Sequence, residues 1–323
     1  MGSYHAGSLA LQELVGVSER ADHVGRSLGR DVKPVAAAFL EQQPLLVVGA
    51  ADPRSGLVWA SPLTGPPGFA RAAGPGRLSV ATKAGGEGPG KRAPGHPAEQ
   101  APDDVTHPDG GPLLADPLSV ALRTPGTHLG TLALDPRTRR RMRLNGRLRP
   151  TEGGFEVEAD RVFANCPRHI RRREAYETVA GRVPGLPRRA ARLGPGEAEF
   201  VRAADTFFLA TVHRAGADVS HRGGDPGFVR VLSPRELSWP DYPGNAMFLS
   251  LGNLRTDPRA GLLLLDWDTG TTLQLTGEAR TVFAADGRRT VRFTVTEARW
   301  APAALPLRWS APAHSPAGPD GTR

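Results

Sequence analysis

Residues 219–228 read VSHRGGDPGF, and a related stretch, ASPLTGPPGF, occurs earlier at residues 60–69. In both, a serine is followed eight residues later by the phenylalanine of a Pro-Gly-Phe triplet. Glycine and proline in this arrangement are typical of turns. Only the second copy carries a basic pair, His221 and Arg222, where the first copy has proline and leucine. The recurrence predicts two related units, of which the second alone has cationic side chains at this turn.

Two further blocks recur in the same order. HLGTLALDPR at 128–137 and SLGNLRTDPR at 250–259 share Leu-Gly-x-Leu and Asp-Pro-Arg, and MRLNGRLR at 142–149 resembles LQLTGEAR at 273–280. Two copies with so long a period indicate a tandem of two units rather than a solenoid. Fewer residues separate Asp-Pro-Arg from Asn-Gly in the first copy than separate Asp-Pro-Arg from Thr-Gly in the second copy. We therefore expect the first barrel to lack a hairpin strand.

Each unit has the pattern of a mainly β fold. Short apolar segments such as PLLVVGAAD and TFFLATV are separated by Gly, Pro and Asp turns, and GNAMFLSL at 244–251 is expected to be another strand. The 39 glycines and 31 prolines favour many turns over a long helical bundle. Many short strands predict two tandem antiparallel β-barrels with short flanking helices. Within DWDTGTT we expect a tight hairpin, and LGNLRTDPRA predicts a short helix that ends at the Asp-Pro step.

The expected organisation has five parts. They are a helical segment at 1–34 that covers the first barrel, a degenerate N-terminal barrel at 35–175, a linker at 176–198, a C-terminal barrel at 199–310 and a disordered tail at 311–323. Residues 83–112 consist almost entirely of glycine, proline and polar or charged residues, a composition that cannot form a core. We expect them to be a disordered insertion in the first barrel.

The net charge of +8 is not by itself an indication of nucleic-acid binding. Lys33, Lys83 and Lys91 are the only lysines, and the many arginines are spread along the chain without a basic helix or interleaved aromatic residues. This distribution favours a solvated basic surface with some anion-binding use over nucleic-acid binding.

Cysteine and hydropathy patterns predict a soluble, cytoplasmic protein. The single cysteine, Cys166, excludes an internal disulfide and suits a reducing compartment. No signal-peptide pattern is present, and the longest apolar runs are too short to span a membrane.

Several kinds of catalytic site are disfavoured by the motifs. The nine histidines have no metal-ligand spacing, and no Gly-x-Ser-x-Gly motif occurs, so we expect neither a metal site nor a serine hydrolase. GGEGPGKR at 85–92 lacks the Ser or Thr that must follow the lysine of a phosphate-binding loop. Cys166 is better explained as a buried thiol than as a nucleophile.

The second glycine turn is the strongest candidate for a binding site. Arg222 lies in the turn and Arg230 in the next strand, and guanidinium groups bind phosphate oxygens in pairs. The alternative is that the glycines only form turns and the arginines pair with Asp225 or Asp241. On spacing alone the two readings are evenly balanced.

Neutral donors follow this turn. Asn245, Ser250 and Asn253 surround the start of the expected short helix, where free backbone N–H groups favour an anion. Thr272 and Gln274 lie in TTLQLTG and could pair with the polar edge of a heterocycle.

These motifs together resemble a known family. SHRGGDPGFVRVL, DYPGNAMFLSLGNL, DPRAGLLLLDWDTG and LQLTG are similar to the serial motifs of the pyridoxamine 5′-phosphate oxidase-like proteins, which are flavin-nucleotide-binding split barrels. The match is nearly continuous from 207 to 279. The first half, with WASPLTGPPGF and NCPRHI, resembles the degenerate N-terminal barrel of the long-chain tandem members.

The resemblance implies two tandem split β-barrels of the FMN-binding type and a set of FMN contacts. Arg222 and Arg230 would hold the phosphate with Ser250 and Asn245, and His221 would position the ligand or assist proton transfer. Residues 247–249 would run along the isoalloxazine ring, and Gln274 or Thr272 would reach its pyrimidine edge. The cofactor-binding set is therefore His221, Arg222, Arg230, Asn245, Met247, Phe248, Ser250, Asn253, Thr272 and Gln274.

The activity implied is that of an FMN-dependent oxidoreductase, with hydride transfer between a small organic substrate and N5 of the flavin. We expect a homodimer and no membrane or nucleic-acid partner. The expected C-terminal barrel ends in ALPLRW at 304–309, unlike the authentic vitamin-B6 oxidases, so pyridoxamine phosphate is a weak substrate candidate. The alternatives are a split barrel that binds deazaflavin or haem, a flavin-binding protein without turnover, and a nucleic-acid-binding protein.

Overall fold

The computed structural model describes residues 4–82, 116–164, 168–244 and 246–313. The chain is mainly β, as the strand pattern predicted, and within the described residues five short helices accompany the sheets. The helices are α1 (Ala6–Leu14), α2 (Ser18–Gly25), α3 (Pro34–Glu41), α4 (Pro195–Ala203) and α5 (Leu249–Thr256), with a 3₁₀ turn at Ala121–Arg123. The predicted insertion at 83–112, Cys166 and Asn245 lie outside the described residues.

The first half of the chain forms one antiparallel sheet of seven strands in the order β2-β1-β5-β6-β7-β4-β3. Its strands are β1 (Leu45–Ala51), β2 (Val58–Thr64), β3 (Ala70–Ala72), β4 (Arg77–Ala81), β5 (His128–Asp135), β6 (Arg140–Thr151) and β7 (Gly154–Ala164). One apolar core fills this sheet and includes Trp59, Leu78 and Phe155.

The second half repeats that order as β11-β10-β14-β15-β16-β13-β12. Its strands are β10 (Thr206–His213), β11 (Gly216–Gly223), β12 (Arg230–Ser233), β13 (Glu236–Pro240), β14 (Arg259–Leu265), β15 (Thr272–Phe283) and β16 (Arg289–Ala301). Between the halves, β9 (Arg188–Ala190) pairs with β16, and β8 (Tyr176–Thr178) pairs with β17 (Leu307–Trp309). These short strands and the start of α4 occupy the region predicted to be a linker.

Two details recur at equivalent places in the sheets. The pairing of β6 with β7 shifts register between Asn145 and Gly146, and that of β15 with β16 shifts between Thr276 and Gly277. MRLNGRLR and LQLTGEAR thus lie at equivalent positions, as their sequences predicted. In the two Pro-Gly-Phe turns, Gly68 and Gly227 have φ values of 91° and 88°, a left-handed conformation that favours glycine.

Two expectations about the first half are wrong. HLGTLALD is the buried strand β5, whereas SLGNLRT forms helix α5, so those two blocks are not structural equivalents. The first sheet also lacks no strand, because β5 occupies the place that β14 has in the second sheet. The shared Asp-Pro-Arg follows a strand in one half and a helix in the other.

Two of the three predictions around α5 are confirmed, and one is wrong. The helix itself is confirmed and ends before Asp257, the residue that precedes the proline. The hairpin in DWDTGTT is also confirmed, with Gly270 at a φ of 70°. The strand expected at 244–251 is wrong, because residues 246–248 form no strand and residues 249–251 are the first turn of α5.

The two halves pack through a third apolar cluster that contains Val47, Phe208 and Leu263. Glycine allows the closest approaches. A Cβ at Gly130 would lie 2.7 Å from the backbone of Asp218, and one at Gly261 would lie 2.6 Å from the carbonyl oxygen of Val58. Larger residues at these positions would force the halves apart.

Helices α1 and α2 do not cover the first half in the way that was expected. Helix α1 packs against α5 of the second half, and its Leu11 belongs to the second core. Tyr4 and Ala21 join a small cluster with Phe163 of the first half and Met247 of the second. The segment therefore lies over the junction. Among the described residues, no helix is long and apolar enough to cross a membrane.

Candidate functional site: an arginine-rich cavity between the halves

A cavity of about 340 Å³ lies where β11, residues 240–244 and 246–248, and the start of α5 face β6 of the first half. Helix α2 closes one side with Arg20 and Val24. The cavity therefore combines three parts of the chain that are far apart in sequence. Its volume is within the usual range of small-molecule sites.

A buried ion pair joins the halves beside this cavity. Arg143 Nη1 on β6 lies 3.1 Å from Asp218 Oδ2 on β11, and Asn145 donates to the same carboxylate at 2.9 Å. Ser250 Oγ donates to Asp218 Oδ2 at 2.8 Å. Burial alone would raise the pKa of Asp218, but Arg143, Asn145 and Ser250 hold that pKa below its usual value. The carboxylate is charged and fixes Arg143 and Ser250 on the cavity wall.

A second carboxylate fixes two more arginines. Asp241 accepts from Arg222 Nη1 at 2.8 Å and from Arg289 Nε at 2.9 Å. The alternative reading of the sequence, in which Arg222 pairs with Asp241, thus describes a real contact. Both arginines nevertheless line the cavity, and the buried Nε of Arg222 has no hydrogen-bond partner within the described structure. An ion pair that uses one nitrogen of a guanidinium leaves other donors for a ligand.

His221 is held in one tautomer. Arg141 Nη1 lies 3.0 Å from His221 Nδ1, and because arginine can only donate, Nδ1 is the acceptor and Nε2 carries the hydrogen. Burial, with Arg141, Arg143 and Arg222 nearby, keeps the pKa of His221 well below 6.5. The ring is therefore neutral near pH 7. It is suited to positioning a ligand rather than to delivering a proton from an imidazolium.

The cavity is strongly cationic. Six arginines line it, whereas Asp241 is its one acidic lining residue among those described, and Asp218 lies behind Arg143. The same field acts on His169, whose pKa is lowered by desolvation and by Arg141, Arg168 and Arg222. A concave site with this excess of guanidinium groups attracts anions, above all phosphate and carboxylate. The lining arginines are Arg20, Arg141, Arg143, Arg168, Arg222 and Arg289.

One wall is apolar and aromatic. Met247 and Phe248 line it, and the guanidinium of Arg289 lies over the Phe248 ring at 5.3 Å. His169 and Tyr242 stack at 4.8 Å between ring centres and also line the cavity. The cavity therefore offers an apolar, aromatic surface to a planar ring and a cationic surface to an anionic group.

The structure brings together half of the residues that the sequence indicated. His221, Arg222, Met247, Phe248 and Ser250 all line the cavity. Arg230 is exposed and lines a neighbouring groove instead, because β12 carries it away from β11. The buried Asn253 donates to Thr211 Oγ1 at 3.0 Å rather than lining the cavity.

The expected position of Gln274 and Thr272 is corrected. Both are almost completely buried on β15 and do not line the cavity. Gln274 Nε2 donates to Ala60 O at 3.0 Å and to Ser61 Oγ at 2.9 Å, and Gln274 Oε1 accepts from Arg299 at 2.6 Å. Their face of β15 packs against the first half, so the amide is used to join the halves.

The cationic residues that the first half contributes to the cavity were not predicted from the sequence. Arg141 and Arg143 are two positions apart on β6, which places them on the same face of the strand. That period of two was visible in RRMRLNGRL, but it did not stand out among so many arginines. Arg289 gave no signal, because its pairing with Asp241 joins distant segments.

The second half of the chain matches a known protein family. Residues 195–318 match the model of the family described as pyridoxamine 5′-phosphate oxidase. This segment belongs to the pyridoxamine 5′-phosphate oxidase family. All of the predicted cofactor residues lie within it, whereas Arg141 and Arg143 lie before it. No protein of curated function matches the chain.

Solved structures cover about a third of the chain. A Lactobacillus delbrueckii protein, described provisionally as a pyridoxamine 5′-phosphate oxidase, is 14% identical over 34% of this chain and 94% of its own, with a TM-score of 0.28. An FAD-binding protein from Mesorhizobium loti is 12% identical over 36% of this chain and 99% of its own, with a TM-score of 0.27. The FAD-binding protein from Mycobacterium smegmatis is 13% identical over 36% of this chain and 98% of its own, with a TM-score of 0.26. Similarities this small carry no argument about ligand or activity.

Proposed function

We propose that the cavity between the halves binds a phosphorylated flavin, FMN, and that the protein is an oxidoreductase acting on a small organic substrate. One observation carries the proposal. His221, Arg222, Met247, Phe248 and Ser250 were selected from sequence as flavin contacts, and they converge on one cationic cavity with an apolar wall. The family of residues 195–318 supports the same reading.

The residues present fit the two chemically different ends of such a ligand. Arg222 and Arg289 would hold the phosphate, because guanidinium groups match its oxygens and the Nε of Arg222 donates to no acceptor among the described residues. Ser250 could add a hydroxyl contact. Met247 and Phe248 would contact the ring system, and the Nε2–H of His221 would donate to a ligand acceptor.

A bound flavin supplies the hydride acceptor, so the chain itself needs no strong acid or base. The role of the protein is then to orient the ligand and to exclude water from one face of it. Neutral His221 suits this role, since its hydrogen stays on Nε2 near pH 7.

We further propose that the two halves are tandem copies of one barrel unit. Their identical strand order and the matching Pro-Gly-Phe turns support this. In the first copy, proline and leucine replace His221 and Arg222, so its phosphate contacts would be lost. The first copy would instead contribute Arg141 and Arg143 to the cavity of the second.

The direct test is a calorimetric titration of FMN into the wild type, Arg222→Gln and Arg230→Gln. Both variants remove one positive charge, but only Arg222 lines the cavity. We expect Arg222→Gln to weaken binding by about 10-fold to 100-fold, as for a lost charged hydrogen bond worth about 1.5–3 kcal/mol. Arg230→Gln should change affinity by less than about twofold. Equal effects of the two substitutions, or no binding to the wild type, would exclude this site for FMN.

A further inference from the structure

The apolar wall of the cavity has an unusual backbone. Ala246 and Phe248 have φ values of 65° and 51°, in the left-handed region that residues with a Cβ rarely adopt. Phe248 is also the N-cap of α5 and has no side-chain capping hydrogen bond. Two such residues in one short loop persist only when their surroundings hold them.

The surroundings that hold the wall belong to the N-terminal helices. Gln12 Nε2 on α1 donates to the carbonyl oxygen of Met247 at 3.0 Å, and this hydrogen bond is buried. Ser8 Oγ donates to the carbonyl oxygen of Phe248 at 3.3 Å. Each joins residues more than 230 positions apart. The wall therefore takes its shape from a segment at the other end of the chain.

A close helix contact fixes the position of these donors. Gly7 and Ser8 of α1 pack so tightly on Gly252 of α5 that a Cβ at either glycine would collide with the other helix. The backbone N–H of Gly7 donates to His5 Nδ1, so in neutral His5 the hydrogen is on Nε2 and can be donated to Ser8 Oγ at 3.2 Å. A continuous chain of hydrogen bonds thus runs from His5 through Ser8 to the wall.

A third contact reaches the same loop from α2. Arg20 Nη2 donates to the carbonyl oxygen of Gly244 at 3.3 Å, and Arg20 itself lines the cavity. Behind the wall, Tyr4 and Ala21 pack with Met247 and Leu249. The N-terminal segment thus supplies both hydrogen bonds and apolar support to one side of the loop, whose other side faces the cavity.

We propose that Gln12 is a positioning residue for the ligand site. Through it, α1 holds the Met247–Phe248 wall in the conformation that receives the ligand, so that docking of α1 and ligand binding stabilise each other. Such coupling is reciprocal, because each event favours the same state of the wall. The inference rests on the proposed function for its ligand, FMN, but not for the mechanical role of Gln12.

The test compares Gln12→Leu with Glu13→Leu, an exposed position on the same helix. Leucine keeps the bulk of Gln12 but donates no hydrogen bond. The first readout needs no ligand: hydrogen exchange at the amide of Gly252, which donates to the carbonyl oxygen of Phe248. We expect exchange to be about 10-fold faster in Gln12→Leu, as for one lost buried hydrogen bond, and unchanged in Glu13→Leu.

The second readout is FMN affinity by calorimetry, at a temperature where thermal melts show each variant to be folded. We expect the Kd for FMN to be about 10-fold higher in Gln12→Leu and unchanged in Glu13→Leu. When FMN is bound to the wild type, hydrogen exchange in α1 should be slower. Equal exchange at Gly252 in both variants would overturn the proposal. If the wild type does not bind FMN, the proposed function fails, and exchange at Gly252 alone decides the role of Gln12. Should Gln12→Leu not fold, Ser8→Ala is measured by the same criteria.

Discussion

At the scale of single residues, carboxylates decide what the arginines can do. Asp218 and Asp241 hold Arg143, Arg222 and Arg289 in place, and each carboxylate is almost completely buried. A buried ion pair is weak evidence for stability, since desolvation offsets much of the attraction. Its value here is geometric, because fixed guanidinium groups need no reordering when a ligand binds.

Gln274 gives the clearest test of a residue whose role the sequence misplaced. Gln274→Leu should leave Ser61 and Arg299 without their amide partner and lower the free energy of unfolding by about 1–3 kcal/mol. FMN affinity should stay within about twofold of the wild type, because Gln274 lies outside the cavity. Urea unfolding and an FMN titration measure the two quantities. Lost affinity in a fully folded variant would restore Gln274 to the ligand site.

At the scale of secondary-structure elements, the contact of α1 with β10 makes the stability of the fold depend on pH. The rings of His5 at its start and His213 at the end of β10 are stacked 4.5 Å apart. Desolvation lowers the pKa of His213 to about 4, helped by His5, Arg161 and His128 and opposed by Asp218. The pKa of His5 is lowered too, by desolvation and Arg161, against a hydrogen bond with Asn253.

We therefore expect the free energy of unfolding to fall as the pH drops from about 6.5 towards 4. In that range unfolded His213 binds a proton and folded His213 does not, whereas above it both states are neutral. His213→Phe keeps an aromatic ring on His5 and should flatten this dependence. His23→Phe, at an exposed position on α2, is the matched control. Chemical unfolding at several pH values measures it, and identical slopes for the two variants would contradict the assignment.

At this same scale the sequence predicted elements well where the pattern was local. The Asp-Pro step ended α5 and Gly270 formed the hairpin, as turn chemistry requires. Residues 244–251 were misread because their apolar residues fit a strand equally well. The docking of α1 on α5 depends on the contact of Gly7 with Gly252, which no local pattern reveals.

At the scale of the whole molecule, the cavity exists only because two halves and an N-terminal segment meet. From the sequence alone, His221, Arg222, Met247, Phe248 and Ser250 could be selected, since all lie in motifs of the second half. Arg141 could not, because its contribution depends on how β6 of the first half faces β11. The sequence thus predicts one side of the site, and packing of the halves supplies the other.

This arrangement predicts that the first half is needed for ligand affinity. Arg141→Gln should weaken FMN binding by about 10-fold, through the lost charge and the lost hydrogen bond to His221 Nδ1. Arg147→Gln, on the same strand but largely exposed, should have little effect. Fluorescence titration of both variants measures the difference. An unchanged Kd for Arg141→Gln would confine the site to the second half.

A comparison of the affinities for FMN and riboflavin shows whether this cavity binds the phosphate of a flavin. Calorimetry with the wild-type protein should give one FMN per chain, bound at least about 100-fold more tightly than riboflavin, because two or more charge-assisted hydrogen bonds depend on the phosphate. In Arg222→Gln that preference should shrink. Equal affinity for FMN and riboflavin, or no binding of either, would show that the cavity is not a site for the flavin phosphate.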